Sequence, residues 1–249
     1  RDVLKTSRMT IIHAEDENVK NAIDILIKNK IKNKVHFAHI SSKKELMYAK
    51  LNKDLRNSLR VSQITIEVAP HHLLMNHKDI QTLGAFAEMK PRLKTEQDQK
   101  ALWNGIKNGI VDVIASDHAP HLKEEKELAN YPFGVPGVET MLPLLLDAFN
   151  KNKMSLPTII KLCCENPARI FRIKNKGFLK EGYSADLVIV DLDKRQAVRN
   201  EDLLTKCKWS PFEGKILKGW PVTTIVNGNV AYDDGEVFDI KAREVQYAR

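Results

Sequence analysis

Cysteine is scarce in this chain of 249 residues: there are three, Cys163, Cys164 and Cys207, with no CxxC among them. An odd count, two of them adjacent, excludes a disulfide framework and a paired-cysteine zinc or redox motif. It fits a reducing, cytoplasmic setting. All three read as small buried hydrophobes. Long apolar runs are also missing. None approaches the roughly 20 residues that span a bilayer, so no transmembrane helix is expected. The chain begins at Arg1 without a Met, so the lack of a signal peptide says little. Internal repeats and low-complexity tracts are absent. So is any stripe of positive charge. The net charge is +8, but the lysines are scattered beside acids, as in Lys123-Glu124-Glu125-Lys126. A nucleic-acid binder concentrates such charge on one face. The excess therefore reads as a solvated surface, and neither nucleic acid nor membrane is expected as a partner.

What the chain does have is β-branched runs that stop at titratable groups. Ile110 to Ser116 reads as a buried strand followed by Asp117-His118-Ala119-Pro120-His121. Met9 to Ile12 runs into His13-Ala14-Glu15-Asp16, and Val35 to Ala38 into His39-Ile40-Ser41-Ser42. In a parallel α/β barrel, the C-terminal ends of the strands carry the catalytic groups. Strand and helix alternate from residue 9 to about 150. Helices are expected near 17–30, 43–55, 77–83, 95–108, 137–150 and 155–172, the last interrupted at Asn166-Pro167. Ser42 and Glu45 have capping-box spacing. This βαβα order implies a parallel sheet. Only four main βα units can be counted, with His13, His39, Glu67 and Asp117 near their strand ends, whereas a closed barrel needs eight. From about residue 177 the texture changes to short β segments with turn signals at Asn227-Gly228 and Asp234-Gly235. A charged tail, frayed or helical, follows from 239.

A lone His at a strand end is ordinarily a hydrogen-bonded core residue. Two of them plus Asp117, at separate strand ends of one barrel mouth, point instead to a metal-dependent hydrolase. Neutral imidazole is a good zinc ligand. Asp117 could bind the metal, accept a proton, or both; its bland alternative is a turn cap. His121 could hold a substrate carboxylate or an oxyanion. Glu67 could orient a ligating His. Of His71 and His72, at most one is expected to face the mouth. His36 and His77 read as structural or exposed, and Asp186 as a turn residue. The loop 118–136 is long enough to suggest function.

These segments resemble the dihydroorotases, in the cyclic amidohydrolase superfamily with hydantoinases and allantoinases. The matching stretches are Ile12-His13-Ala14-Glu15-Asp16, Ala38-His39-Ile40-Ser41, Glu67-Val68-Ala69-Pro70-His71-His72-Leu73, Ala115 to His121, and Pro132-Phe133-Gly134-Val135-Pro136-Gly137. Asn166 to Arg169, Gly182 to Leu187 and Ser210 to Gly214 also fit. The resemblance implies an α/β fold, a (β/α)8 TIM-type barrel of which strands 5–8 are present here, with a composite β-sandwich. Residues 1–176 would be the barrel half, 177–238 the sandwich portion and 239–249 a tail. It implies two zinc ions per complete site. His13 and His39 would ligate one and Asp117 the other, with Asp117 also the general acid/base. His121 and the Phe133-Gly134 backbone would contact substrate. N-carbamoyl-L-aspartate would cyclise reversibly to dihydroorotate, in pyrimidine synthesis. In the hydrolytic direction a metal-bound hydroxide would attack the ring amide and Asp117 would protonate the leaving nitrogen.

Two departures stand out. The His-x-His-x-Arg motif of strand 1 and the bridging strand-4 residue, a carboxylated Lys or an Asp, are absent, so the upstream half is expected from the same protein or another chain. Lys90-Pro91-Arg92-Leu93-Lys94 replaces an Asn-Pro-Pro-Leu-Arg segment, making Lys90 a charged rather than an amide contact to substrate. A hydantoinase or allantoinase is the alternative enzyme. A non-catalytic scaffold for a partner such as aspartate transcarbamoylase is the alternative of another class. A homo-oligomer is also compatible.

Overall fold

The computed structural model describes residues 9–59 and 63–248. The chain divides into two compact units, one of residues 1–138 with 205–211 and one of residues 139–204 with 212–249.

In the first unit, four strands form a parallel sheet in sequential order: β1 (Met9–Ile12), β2 (Lys34–Phe37), β3 (Ile64–Val68) and β4 (Val113–Ile114). Parallel neighbours need a crossover, and helices supply it. They are α1 (Glu17–Lys28), α2 (Lys43–Leu59), a short α3 (Pro70–Leu74), α4 (His77–Leu83) with a 3₁₀ turn at Gly84–Ala87, and α5 (Glu96–Lys107). Val19, Ile23 and Leu26 recur at helical spacing on α1 and are buried, as are Val35, Phe37, Ile64, Ile66, Val68, Val113 and Ile114 of the strands. Runs of apolar residues buried on both faces are what a helix-covered parallel sheet requires.

The expected strand 110–116 is short, and the reason is local. The Asp112 carboxylate accepts the Ile66 N–H at 2.8 Å, a bond a backbone carbonyl would otherwise take. Lys53 donates to the Ile110 carbonyl at 2.5 Å and also pairs with Asp112. Helix α3 has no counterpart among the expected helices. Pro70 at its first position lacks an N–H that would be unsatisfied there anyway, and its fixed φ favours the helix start. The long loop holds one helical turn, α6 (Lys123–Lys126). The helix expected from 137 starts later, because the Gly137 and Val138 N–H groups donate to His118 Nδ1 at 3.1 and 3.3 Å.

In the second unit, α7 (Met141–Asn150), α8 (Leu156–Ile160) and α9 (Asn166–Ile170) accompany an antiparallel sheet. Its order is β5 (Leu187–Ala197), β6 (Ile216–Val226), β7 (Asn229–Asp233) and β8 (Glu236–Val237). Between α8 and α9 a π turn spans Lys161–Glu165. Pro167 has no N–H to give the Cys163 carbonyl, and its ring crowds that group, so the ladder widens there. Cys207 is buried, Cys163 half-buried and Cys164 exposed, which corrects the expectation that all three are buried: two adjacent helical residues cannot share one inward face. Asp186 ties the Asn227-Gly228 turn by accepting from Asn227 N at 2.8 Å. Among the described residues the tail forms no helix; Tyr247 bridges Ile173 instead. No helix among the described residues is long and apolar enough to cross a membrane.

Candidate active site

Strand register aligns the chemistry-bearing ends. The ladder continues past the strands: Ala38 N donates to Ile12 O at 3.0 Å, Ile40 N to Glu67 O at 2.8 Å, and Ala115 N to Val68 O at 3.1 Å. His13, His39 and Asp117 therefore all leave the same edge of one sheet. His39 Nε2 lies 2.5 Å from His13 Nδ1, the rings edge to face at 4.3 Å. His39 is buried and His13 largely exposed. His39 (φ 38°) and Asp117 (φ 47°) both sit in the left-handed region, which non-glycine residues enter rarely and which clusters at functional sites. Burial holds the His39 imidazole below its ordinary range, with the Asp117 charge opposing and the His13 charge assisting. That favours the neutral ring, the form that binds a metal.

Burial likewise pushes the Asp117 carboxyl up, with the histidines pulling it down and Glu67 adding to the rise. Asp117 Oδ2 faces His71 Nε2 at 3.5 Å. His71 and His72 are both buried, but only His71 turns to Asp117. His72 Nε2 donates to Pro91 O at 2.9 Å. His36 is buried on β2, its Nε2 3.0 Å from Glu67 Oε2 and its Nδ1 2.8 Å from Thr65 Oγ1. Glu67 thus orients His36 in the sheet interior, and no hydrogen bond links it to His13 or His39 among the described residues.

His121, Phe133, Gly134 and Lys90 come together in a second cluster. His121 Nε2 donates to Phe133 O at 3.1 Å, and Trp209 Nε1 fixes the His121 carbonyl at 2.7 Å. Gly134 N donates to Glu88 O at 3.0 Å. A Cβ on Gly134 would meet Ala119 O at 2.6 Å, and its φ of 135° suits glycine alone. Lys90 Nζ sits 4.6 Å over the Phe133 ring. Sequence reasoning missed Lys126. Its ammonium is buried and donates to Glu88 O at 3.1 Å, Pro132 O at 2.8 Å and Gly134 O at 3.1 Å. Burial draws it below the usual lysine range. Its place in an acid-and-base run suggested a solvated surface, and only the fold turns it inward.

The donors fit zinc in kind. His13 and His39 aim nitrogens at each other, and His39 Nδ1 is buried with no hydrogen-bond partner. Two nitrogens on one tetrahedral zinc lie roughly 3.3 Å apart, so the rings would part by less than an ångström. In number the donors fall short: among the described residues no three His, Cys, Asp or Glu side chains are grouped to hold a metal.

The amidohydrolase family model matches residues 8–231. The dihydroorotase of Pyrococcus horikoshii is 38% identical over 211 residues, covering 84% of this chain and 47% of the relative. That of Anoxybacillus flavithermus is 40% identical over 222 residues, covering 88% and 50%. Among solved structures, the L-hydantoinase of Arthrobacter aurescens superposes with a TM-score of 0.82 at 26% identity, over 93% of this chain and 58% of that one. The D-hydantoinase of a Thermus species, at 23% identity and a TM-score of 0.81 over 90% and 50%, shares the fold. The chain spans about half the length of the relatives it matches. It is a dihydroorotase-like member of the amidohydrolase family.

Proposed function

We propose that this chain carries the second half of a zinc-dependent dihydroorotase, which cyclises N-carbamoyl-L-aspartate to dihydroorotate reversibly. The observation that carries the reading is the pair of imidazole nitrogens 2.5 Å apart at the ends of adjacent strands, with Asp117 on the same sheet edge. Identity of 34–40% to dihydroorotases of several organisms favours this substrate class. In the proposal β1 to β4 are strands 5–8 of a (β/α)8 barrel, residues 1–176 form its half, and 177–238 join a composite sandwich. Two exposed apolar features support completion by another segment. Ile11 is 60% exposed on edge strand β1. Leu187, Val188 and Ile189, which alternate between the faces of β5, are 38%, 46% and 53% exposed. An uncovered apolar edge is a liability that a partner strand removes.

In this reading His13 and His39 hold one zinc and Asp117 reaches the other. Bound zinc would supply Lewis-acid polarisation of a carbonyl and make water acidic. The chain's own residues do the rest. In the hydrolytic direction Asp117, its carboxyl raised by burial, takes at Oδ2 the proton given up by the water that adds to the ring carbonyl and delivers it to the ring nitrogen as the carbonyl–nitrogen bond breaks. His121 and the Phe133-Gly134 backbone orient the substrate, and the Lys90 ammonium attracts its carboxylate. The Lys126 ammonium fixes the loop that presents Gly134.

Initial rates of the full-length protein with dihydroorotate, hydantoin, dihydrouracil and allantoin test this. Dihydroorotate should be preferred by more than tenfold. Equal or better turnover of hydantoin or dihydrouracil contradicts the reading. Zinc binding without turnover of any of them would point to a scaffold.

A further inference from the structure

Glu45 is completely buried, and its two carboxylate oxygens serve two different loops. Oε1 accepts from Asp16 N at 2.6 Å, three residues beyond His13. Oε2 accepts from Ser41 N at 2.8 Å, Ser42 N at 2.9 Å and the Ser41 hydroxyl at 3.1 Å, two and three residues beyond His39. A helix cap explains only part of this. Ser42 Oγ accepts from Glu45 N at 3.2 Å, and Glu45 answers through Ser42 N, which completes the capping box at the start of α2. The bond from Asp16 has no place in that motif. Asp16 lies 29 residues upstream, in the preceding βα loop. Each loop also holds a non-glycine residue in the left-handed region, Asp16 at φ 51° and His39 at φ 38°. Such conformations persist only where surrounding bonds over-determine them.

We propose that Glu45 is a positioning residue, crosslinking the His13 and His39 loops so that the two imidazoles are held side by side, within an ångström of the separation one metal ion needs. The inference rests on the metal reading above. Glu45 touches neither ring; it acts through the backbone of both loops. The sheet register fixes the two strand ends, and Glu45 fixes the loop segments that leave them.

Zinc affinity of the full-length protein, by competition with a chromophoric chelator, is the test, with the visible spectrum of the cobalt(II) form beside it. Glu45→Gln keeps the size but turns one acceptor into a donor, so only one loop can be served. The zinc dissociation constant is expected to rise about tenfold or more, and the cobalt(II) bands to shift. Ser42→Ala removes a cap bond and leaves the bridge, so its zinc affinity should match the wild type. Ser41→Ala removes one of four donors and should weaken zinc by about threefold; it carries the test if Glu45→Gln does not fold. Wild-type affinity in both Glu45→Gln and Ser41→Ala would overturn the proposal. So would Ser42→Ala weakening zinc as much as they do, since a helix effect would then suffice. Failure of the wild-type protein itself to bind zinc overturns the metal reading, and shows before any substitution is compared.

Discussion

His71 Nε2 stands 3.5 Å from Asp117 Oδ2, an imidazole at the head of α3 against a carboxylate just past β4. The gap is long for a hydrogen bond, and Nε2 has no bonded partner. Burial holds His71 well below the ordinary imidazole range and raises Asp117, so each group resists charge on its own. His71→Ala should therefore lower kcat roughly 10- to 100-fold, the range for partners that orient a reactive group. Zinc content should hold, because His71 is not a proposed ligand. Steady-state kinetics with metal analysis checks this, and an unchanged kcat would remove His71 from the site.

Asp117→Asn keeps the shape and loses the proton carrier. Turnover should fall by about 10²- to 10⁴-fold, with the thermal midpoint little changed. Loss of folding instead would assign Asp117 a structural role.

His72 predicts an acid sensitivity. Burial depresses its pKa from 6.5 to about 4, with the bond to Pro91 opposing. A depressed pKa means that the unfolded chain binds the proton first. Stability is therefore full above pH 6.5 and falls as the pH drops toward 4. Each pH unit across that window is worth about 1.4 kcal/mol, so the whole effect is about 3 kcal/mol. Urea denaturation of the metal-free protein at pH 7 and 4.5, compared with His72→Gln, measures it. The variant should show a smaller loss. An equal loss would place the sensitivity elsewhere.

Lys126→Met would take their shared donor from the buried carbonyls of Glu88 and Gly134 and the half-buried carbonyl of Pro132. At about 1 kcal/mol each the cost is about 3 kcal/mol. Because the loop presents Gly134, KM should rise more than kcat falls. An unchanged KM and kcat would free the loop from this clamp.

Much of this arrangement is legible in the sequence. His13, His39 and Asp117 each close an apolar β-branched run, and parallel register then brings such ends to one edge. Ser42 and Glu45 announce a cap by spacing. Spacing cannot show that Glu45 also reaches Asp16, since that bond depends on how two loops meet. His71 and His72 are adjacent and both follow Pro70. Which one turns to Asp117 depends on the rotation of a five-residue helix, α3, and periodicity says nothing at that length. Strand β4 is shorter than the run 110–116 suggests because the Asp112 carboxylate replaces a rung of the ladder, which the β-branched run around it does not announce. His118 looks as reactive as its neighbours, yet its Nδ1 accepts two backbone N–H groups and its task is structural.

The most direct measurement is cyclisation of N-carbamoyl-L-aspartate with zinc, by residues 1–249 alone and after adding the upstream half as a separate chain. The account predicts no turnover from 1–249 alone, turnover on mixing, and loss of that turnover in His13→Ala or His39→Ala. Full activity from 1–249 alone, or recovery that survives both substitutions, would contradict it.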